Sequence, residues 1–258
     1  VAPVTWHNRH MTRVIAIANQ KGGVAKTTTV HALGAALHEL GHTVLMIDLD
    51  PQASLSYAAG VDDDPEPSMH DVMMGRAGLA DILYESAGLD LAPSSIDLAG
   101  AEVHLLTKTG REYVLERALR PMKDTYDYVL IDCPPSLGIL TINALTAARE
   151  VLIPLQAELL TRRGLAQLLD TVNDVRSFTN PDLIVLGALI TLFDSRTRLG
   201  REVIEEIRST MHVEILEPFI PKSVKVAEAP GRGITILDHA RHSKAAEAYR
   251  ELAENLEK

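Results

Sequence analysis

The chain has 258 residues, with 25 Lys and Arg against 35 Asp and Glu, a formal charge of −10 at neutral pH, and it is long enough to bury roughly three quarters of its unfolded surface without a covalent staple. The lone Cys133 excludes a disulfide framework, a Cys-rich zinc module and an iron–sulfur cluster held by several thiolates of one chain, and a reducing, cytoplasmic setting is the expectation. No apolar run reaches the roughly 18 residues of a membrane helix, and ten aromatics (one Trp, six Tyr, three Phe) are too few for a platform that stacks single-stranded bases.

Residues 1–10 show no periodicity and are expected to form a disordered extension, with residues 11–258 as a single domain. From Arg13 onward, apolar β-branched runs alternate with helix-period stretches. The runs predict strands near Val14–Ala18, Thr43–Ile47, Leu89–Ala92, Tyr128–Ile131, Val151–Pro154 and Ile184–Thr191. Helices are predicted near Thr27–Leu40, Arg111–Leu119, Ile139–Ala148, Gly164–Phe178, Leu199–Thr210 and Ala245–Leu256, with short helical pieces at Met69–Met74 and Leu79–Tyr84. The strands are nearly continuous apolar runs, the mark of a sheet buried on both faces. The fold class is therefore α/β, a mostly parallel central sheet flanked by helices. Asp62, Asp63 and Asp64, followed by Pro65, Glu66 and Pro67, read as a hydrated loop.

The sharpest motif runs Ile17-Ala18-Asn19-Gln20-Lys21-Gly22-Gly23-Val24-Ala25-Lys26-Thr27-Thr28, from an apolar strand into an amphipathic helix. Gly22 and Gly23 let backbone N–H groups close on an anion, with Val24, Ala25 and Thr28 completing the wrap, and the helix start points its positive end at the same place. Lys26 has the reach for β- and γ-phosphate oxygens, and the Thr27 hydroxyl suits a Mg²⁺ shell. A strand–Gly–Gly–helix turn alone is often structural; lysine and threonine at these offsets favour a phosphate site. Lys21 reads either as a solvated loop residue or as a second anion contact, because two lysines five apart repel unless an anion lies between them. Two further segments place carboxylates at strand ends: Ile47-Asp48-Leu49-Asp50-Pro51-Gln52 and Ile131-Asp132-Cys133-Pro134-Pro135. Ligands bind at that rim in open α/β sheets, although a strand-end aspartate can also merely cap the next turn.

Lys21-Gly22-Gly23-x-x-Lys26-Thr27-Thr28 resembles the deviant Walker A motif, and the chain from Arg13 to its end resembles the ParA/Soj partition ATPases. The resemblance implies a P-loop NTPase fold with ATP and Mg²⁺ as cofactors. It makes Lys21 the signature lysine, reaching the partner's phosphates in a nucleotide-sandwich homodimer, and Asp50 the residue that positions the attacking water. Asp132 would hold Mg²⁺ through water, with Thr27 and Asp48 in or beside the metal shell, and Lys21, Lys26 and Asp50 as the catalytic set. One departure is Ala25, where many members have glycine.

The last quarter is relatively basic: residues 192–258 hold 11 of the 25 cations but only 12 of the 35 acids. Arg196, Arg198 and Arg201 cluster in one stretch, and Lys222, Lys225 and Arg232 in another, which by composition alone reads as an ordinary solvated face. The segments around Phe193 and Pro221 resemble family motifs in which Pro221 packs on adenine, and Arg196 and Lys225, with Lys222 beside them, contact double-stranded DNA without reading sequence. The resemblance adds a ParB-like partner that stimulates slow hydrolysis, and a cytoplasmic, nucleoid-associated place.

Rival readings are a membrane-positioning ATPase of the MinD type and a biosynthetic ligase that phosphorylates a small carboxylate. The final helix is acidic on balance, which disfavours anionic lipid, so no membrane partner is expected.

Overall fold

The computed structural model describes residues 12–61, 64–122, 124–158, 161–196 and 198–258, with the side chains of residues 198 and 199 left aside. The expected extension at 1–10, Asp62 and Asp63 of the acidic loop, and the Arg198 side chain lie outside the described set. Strands β1 (Arg13–Ile17), β2 (Val44–Asp48), β3 (Tyr84–Ser86), β4 (Leu89–Ala92), β5 (Tyr128–Asp132), β6 (Glu150–Leu155), β7 (Ile184–Ile190) and β8 (Ile215–Leu216) form one sheet in the order β3-β4-β2-β5-β1-β6-β7-β8. Every pairing is parallel except that of β3 with β4, so the sequence expectation of a mostly parallel sheet holds with one antiparallel edge hairpin.

The helices are α1 (Lys26–Glu39), α2 (Ser54–Ala58), α3 (Met69–Met74), α4 (Leu98–Leu105), α5 (Val114–Leu119), α6 (Ile139–Ala147), α7 (Thr161–Phe178), α8 (Arg198–Met211), α9 (Val224–Glu228), α10 (Ile236–His239) and α11 (Lys244–Leu256). They form two layers, because neighbouring strand residues point to opposite faces. On one face Ala16, Leu45, Ile47 and Ile131 pack with Met69, Leu98, Leu115, Leu140, Leu165 and Ile204. On the other, Ile15, Ile17, Met46 and Leu130 pack with Val30, Leu33, Leu55, Ile236 and Tyr249. Helix α1 lies tight against β2 at Gly34, where an added Cβ would come 3.2 Å from the Met46 sulfur.

Several elements escaped the sequence reading: α2, α4, α9 and α10 are at most eight residues long, and β3 and β8 have three and two. Such pieces carry too few residues to display a period. The piece expected at Leu79–Tyr84 is a 3-10 turn over Leu79–Ile82, with Tyr84 already in the edge strand.

His31 on α1 is 6% exposed, and burial pulls its pKa down to about 4, against a smaller opposing pull from Asp238. An unfolded chain binds that proton from pH 6.5 downward while the native state refuses it until about pH 4, so this residue costs stability as pH falls through that window. His31→Leu is expected to remove up to about 3 kcal/mol of the stability lost between pH 7 and pH 4. Urea titrations at the two pH values read it, and an acid loss identical to that of the unaltered protein contradicts the assignment.

Candidate functional site

The parallel register sets the site. Ile17 pairs with Asp132 across β1–β5, and Asp48 pairs with the same Asp132 across β5–β2, so the loop after β1 and both carboxylates emerge side by side at one rim. The loop then turns through Gly23 at φ 73 and Ala25 at φ 63 into α1. Left-handed backbone is free for glycine and costs an alanine about 1 kcal/mol, so the departure at Ala25 is accommodated with strain, not by a different turn. An added Cβ at Gly22 or Gly23 would find nothing within 4 Å, so the space beside these two residues is open.

The loop is buttressed from the carboxyl ends of β6 and β7. Asn19 donates to the Pro154 carbonyl at 2.6 Å and accepts from the Lys21 N–H at 2.9 Å. Gln156 donates to the Gly23 carbonyl at 3.0 Å, and Thr191 donates to the Val24 carbonyl at 2.9 Å. These supports were not singled out in the sequence. The two that follow β6 and β7 had one available signal: a polar side chain directly after an apolar strand, on the rim where parallel sheets bind ligands.

Lys26 is buried and bends toward its own loop, its Nζ 3.4 Å from the Lys21 carbonyl. Lys21 is different. Its ammonium lies outside the loop, 2.6 Å from Glu158 Oε2 and 3.2 Å from Gln156 Oε1, with the side chain 41% exposed. The two lysines thus do not share one place.

The carboxylates also divide. Asp48 is fully buried and committed: Oδ2 accepts from the Ser56 N–H at 2.8 Å and from the Ser56 hydroxyl at 2.7 Å, while Oδ1 accepts from the Asp50 N–H at 3.2 Å. Among the described residues neither Asp132 oxygen has a hydrogen-bond partner, although the residue is 1% exposed. Burial pushes both carboxyls up; Asp48 next to Asp132 adds to the shift of Asp132, and the nearby Thr27 hydroxyl and Lys26 ammonium oppose it. An orphaned buried carboxylate beside a lysine and a threonine hydroxyl is the environment a hydrated divalent cation satisfies. Asp50 stands half-exposed at the mouth, one oxygen accepting from the Gln52 N–H at 2.9 Å. Cys133 is fully buried and its thiol is pushed well up by that burial, so it offers no nucleophile.

Pro221 and Phe193 meet through a parallel bridge at the ends of β7 and β8, with Phe193 edge-on to Phe219 at 5.0 Å. Beside them Arg196 forks onto Asp194, at 2.9 and 2.7 Å, which holds the Asp194 carboxyl down to about 2, with Lys222 adding to the pull. The structure therefore gathers Pro221, Arg196 and Lys222 at one corner, and Lys225 follows on exposed α9. Part of the Arg196 charge is spent on its own loop, which the sequence did not disclose.

A family model described as AAA domain matches residues 12–185. The sporulation initiation inhibitor protein Soj of Bacillus subtilis is 44% identical over 95% of this chain and 98% of its own. The chromosome partitioning protein ParA of Myxococcus xanthus is 41% identical over 95% and 88%. Among solved structures, one named cobyrinic acid a,c-diamide synthase from Mycobacterium smegmatis, with bound ADP and magnesium, has 49% identity and a TM-score of 0.86 over 95% of this chain and 94% of that one. The cell division ATPase MinD of Pyrococcus furiosus has 30% identity and a TM-score of 0.77 over 96% and 99%. These matches over 95% of the chain place it in the ParA/Soj family of partition ATPases.

Proposed function

We propose that this chain is an ATP- and Mg²⁺-dependent partition ATPase that dimerises around two nucleotides, binds double-stranded DNA without sequence preference, and hydrolyses ATP slowly until a ParB-like partner stimulates it. The observation that carries the reading is the placement of the two lysines. Lys26 serves the chain's own loop, and the Lys21 ammonium stands on the outer rim, held by Glu158, where a facing subunit can be reached.

The chain's own groups supply position and charge. Backbone N–H groups around Gly22 and Gly23 and the start of α1 hold the β-phosphate, and Lys26 bridges toward the γ-phosphate. Thr27 and Asp132 would hold a hydrated Mg²⁺, which would supply neutralisation of the negative charge on the transferring phosphoryl group. Asp48 fixes the segment that carries Asp50 through Ser56, and Asp50 orients the attacking water. Phosphoryl transfer asks for little else, and the unmade Lys21 contact keeps the monomer slow.

ATP gates DNA binding in this account by mass action. Arg196, Lys222 and Lys225 give one subunit only a few phosphate contacts, against a net charge of −10, and pairing two subunits doubles the patch. The name of the Mycobacterium smegmatis structure favours one second reading, a ligase that activates a small carboxylate. Carboxylate-dependent ADP release would mark it.

Sedimentation with ATP is expected to show a dimer that ADP does not support and that Lys21→Ala abolishes; a monomer at saturating Mg–ATP contradicts the proposal. Glu158→Ala, which releases Lys21 from an exposed ion pair, is expected to lower the ATP concentration at half-dimerisation by about two- to fivefold. An unchanged or raised midpoint contradicts a holding role. DNA retention is expected with ATP and not ADP, and to fall steeply from low to moderate salt, with a shallower salt slope in Lys225→Ala. Equal retention in both nucleotides removes the gate.

A further inference from the structure

We infer that the cavity of about 430 Å³ between the end of α3, the turn that follows it and α5 is a binding site for a free aliphatic monocarboxylate. The volume lies within the range of small-molecule pockets, roughly 300–1,000 Å³. Helix α3 begins at the rim that carries the phosphate loop, where the Met69 N–H donates to the Pro93 carbonyl just past β4, and runs away from it to Gly75. Helix α5 continues through residues 120–122 toward the amino end of β5 at Tyr128. The cavity therefore lies toward the amino ends of the strands. It shares no residue with the phosphate loop, the rim carboxylates or the corner around Pro221, and the inference does not rest on the ATPase reading.

The wall selects an apolar chain. Val72, Leu79, Val114, Ala118, Pro121 and Met122 make it aliphatic, and Lys108 and Arg117 are its only charged side chains among the described residues. It carries no aromatic ring and no side-chain hydroxyl, amide or carboxylate, so it offers a base or a sugar neither a stacking surface nor a side-chain partner. Polar groups buried there without partners would be costly, which leaves a ligand with an apolar body and one anionic head.

The head group is selected by charge. Neither the Lys108 ammonium nor the Arg117 guanidinium makes an ion pair or a hydrogen bond among the described residues. Neighbouring arginines do: Arg111 pairs with Glu112 and Arg120 with Glu116, each at 2.9 Å. The acids of α3 and the following turn are engaged elsewhere, Asp71 by the Ser68 N–H at 3.1 Å and Asp81 by the Gly78 N–H at 2.9 Å. Lys108 Nζ stands at the end of α3, 3.9 Å from where a Cβ on Gly75 would lie. An Arg117 nitrogen lies 2.9 Å from the corresponding position on Gly110, so glycine there, at φ 64, leaves room for the guanidinium. In a chain of net charge −10, two uncompensated cations at an aliphatic wall mark a place for an anion with an apolar tail.

Decanoate, kept below its micellar range, is the probe. The chain has seven methionines, and buried Met122 lines the cavity, so ¹³C-methyl-methionine labelling puts a reporter in the wall, assigned with Met122→Leu. Decanoate up to about 5 mM is expected to shift the Met122 signal saturably, with a Kd of about a few tenths of a millimolar, and equally in the presence of saturating Mg–ADP. Decyltrimethylammonium, with the same chain and the opposite charge, and acetate, with the head alone, are expected to give no saturable shift. Lys108→Gln combined with Arg117→Gln is expected to raise the Kd about fivefold or more. Ala118→Phe, which fills the cavity, is expected to abolish the shift while the Met122 signal stays dispersed; Ala80→Trp, at an exposed position of the wall, replaces it should Ala118→Phe not fold. No saturable shift, an equal shift with decyltrimethylammonium, a Kd that the charge variant leaves unchanged, or a shift that survives the filling variant overturns the proposal. Displacement by Mg–ADP overturns the separateness of the site. Phosphatidylglycerol vesicles or an acidic Leu–Glu peptide that move the Met122 signal where decanoate does not would give the cavity to a membrane or a protein partner and overturn the proposal as well.

Discussion

The arrangement depends on one unbalanced charge. Asp132 is buried at the end of β5 with no hydrogen bond to either oxygen among the described residues, and its register partner Asp48 is buried beside it. Two carboxyls in a low-dielectric rim repel, and desolvation disfavours the charge on each. Lys26 and the Thr27 hydroxyl offset only part of that cost. In the proposed function a metal triphosphate would complete the set, its cation answering the carboxylates and its oxygens Lys26 and the loop N–H groups. The buried carboxylates are costly where they stand, so a cation bound there would release energy to order the segments around it.

Those segments are tied to the carboxylates by specific bonds. Ser56 holds α2 to Asp48 by two hydrogen bonds, and its hydroxyl also accepts from the Ser94 N–H at 2.9 Å after β4, so the ends of β2 and β4 meet at one serine. Strained alanines at 25 and 53 open α1 and α2, the helices that flank the site. Glu158 occupies Lys21 in the free subunit, a weak exposed pair that competes with any phosphate the ammonium could reach. The molecule thus stores small costs around the rim on which the proposed function relies.

Much of this was legible in the sequence because buried parallel strands are written as continuous apolar runs, and a phosphate loop needs its glycines, lysine and threonine in a fixed order. Residues 14–18, 43–47 and 128–131 announced both the sheet and the positions of the carboxylates that follow. What stayed hidden depends on contacts distant in sequence. Nothing local says that Ser56 would take up Asp48 and leave Asp132 bare, or that Glu158 would meet Lys21 across 137 positions. The Arg196–Asp194 fork spans only two residues, yet pairing there depends on the turn that follows β7.

The most direct measurement is calorimetric titration of ADP with and without Mg²⁺ into the unaltered protein and Asp132→Asn. If the orphaned carboxylate awaits a cation, Mg²⁺ raises the affinity of the unaltered protein by about tenfold or more, and the substitution erases that gain while leaving metal-free affinity equal or higher. Equal affinity with and without Mg²⁺ in the unaltered protein, or a full Mg²⁺ gain in Asp132→Asn, would contradict the account.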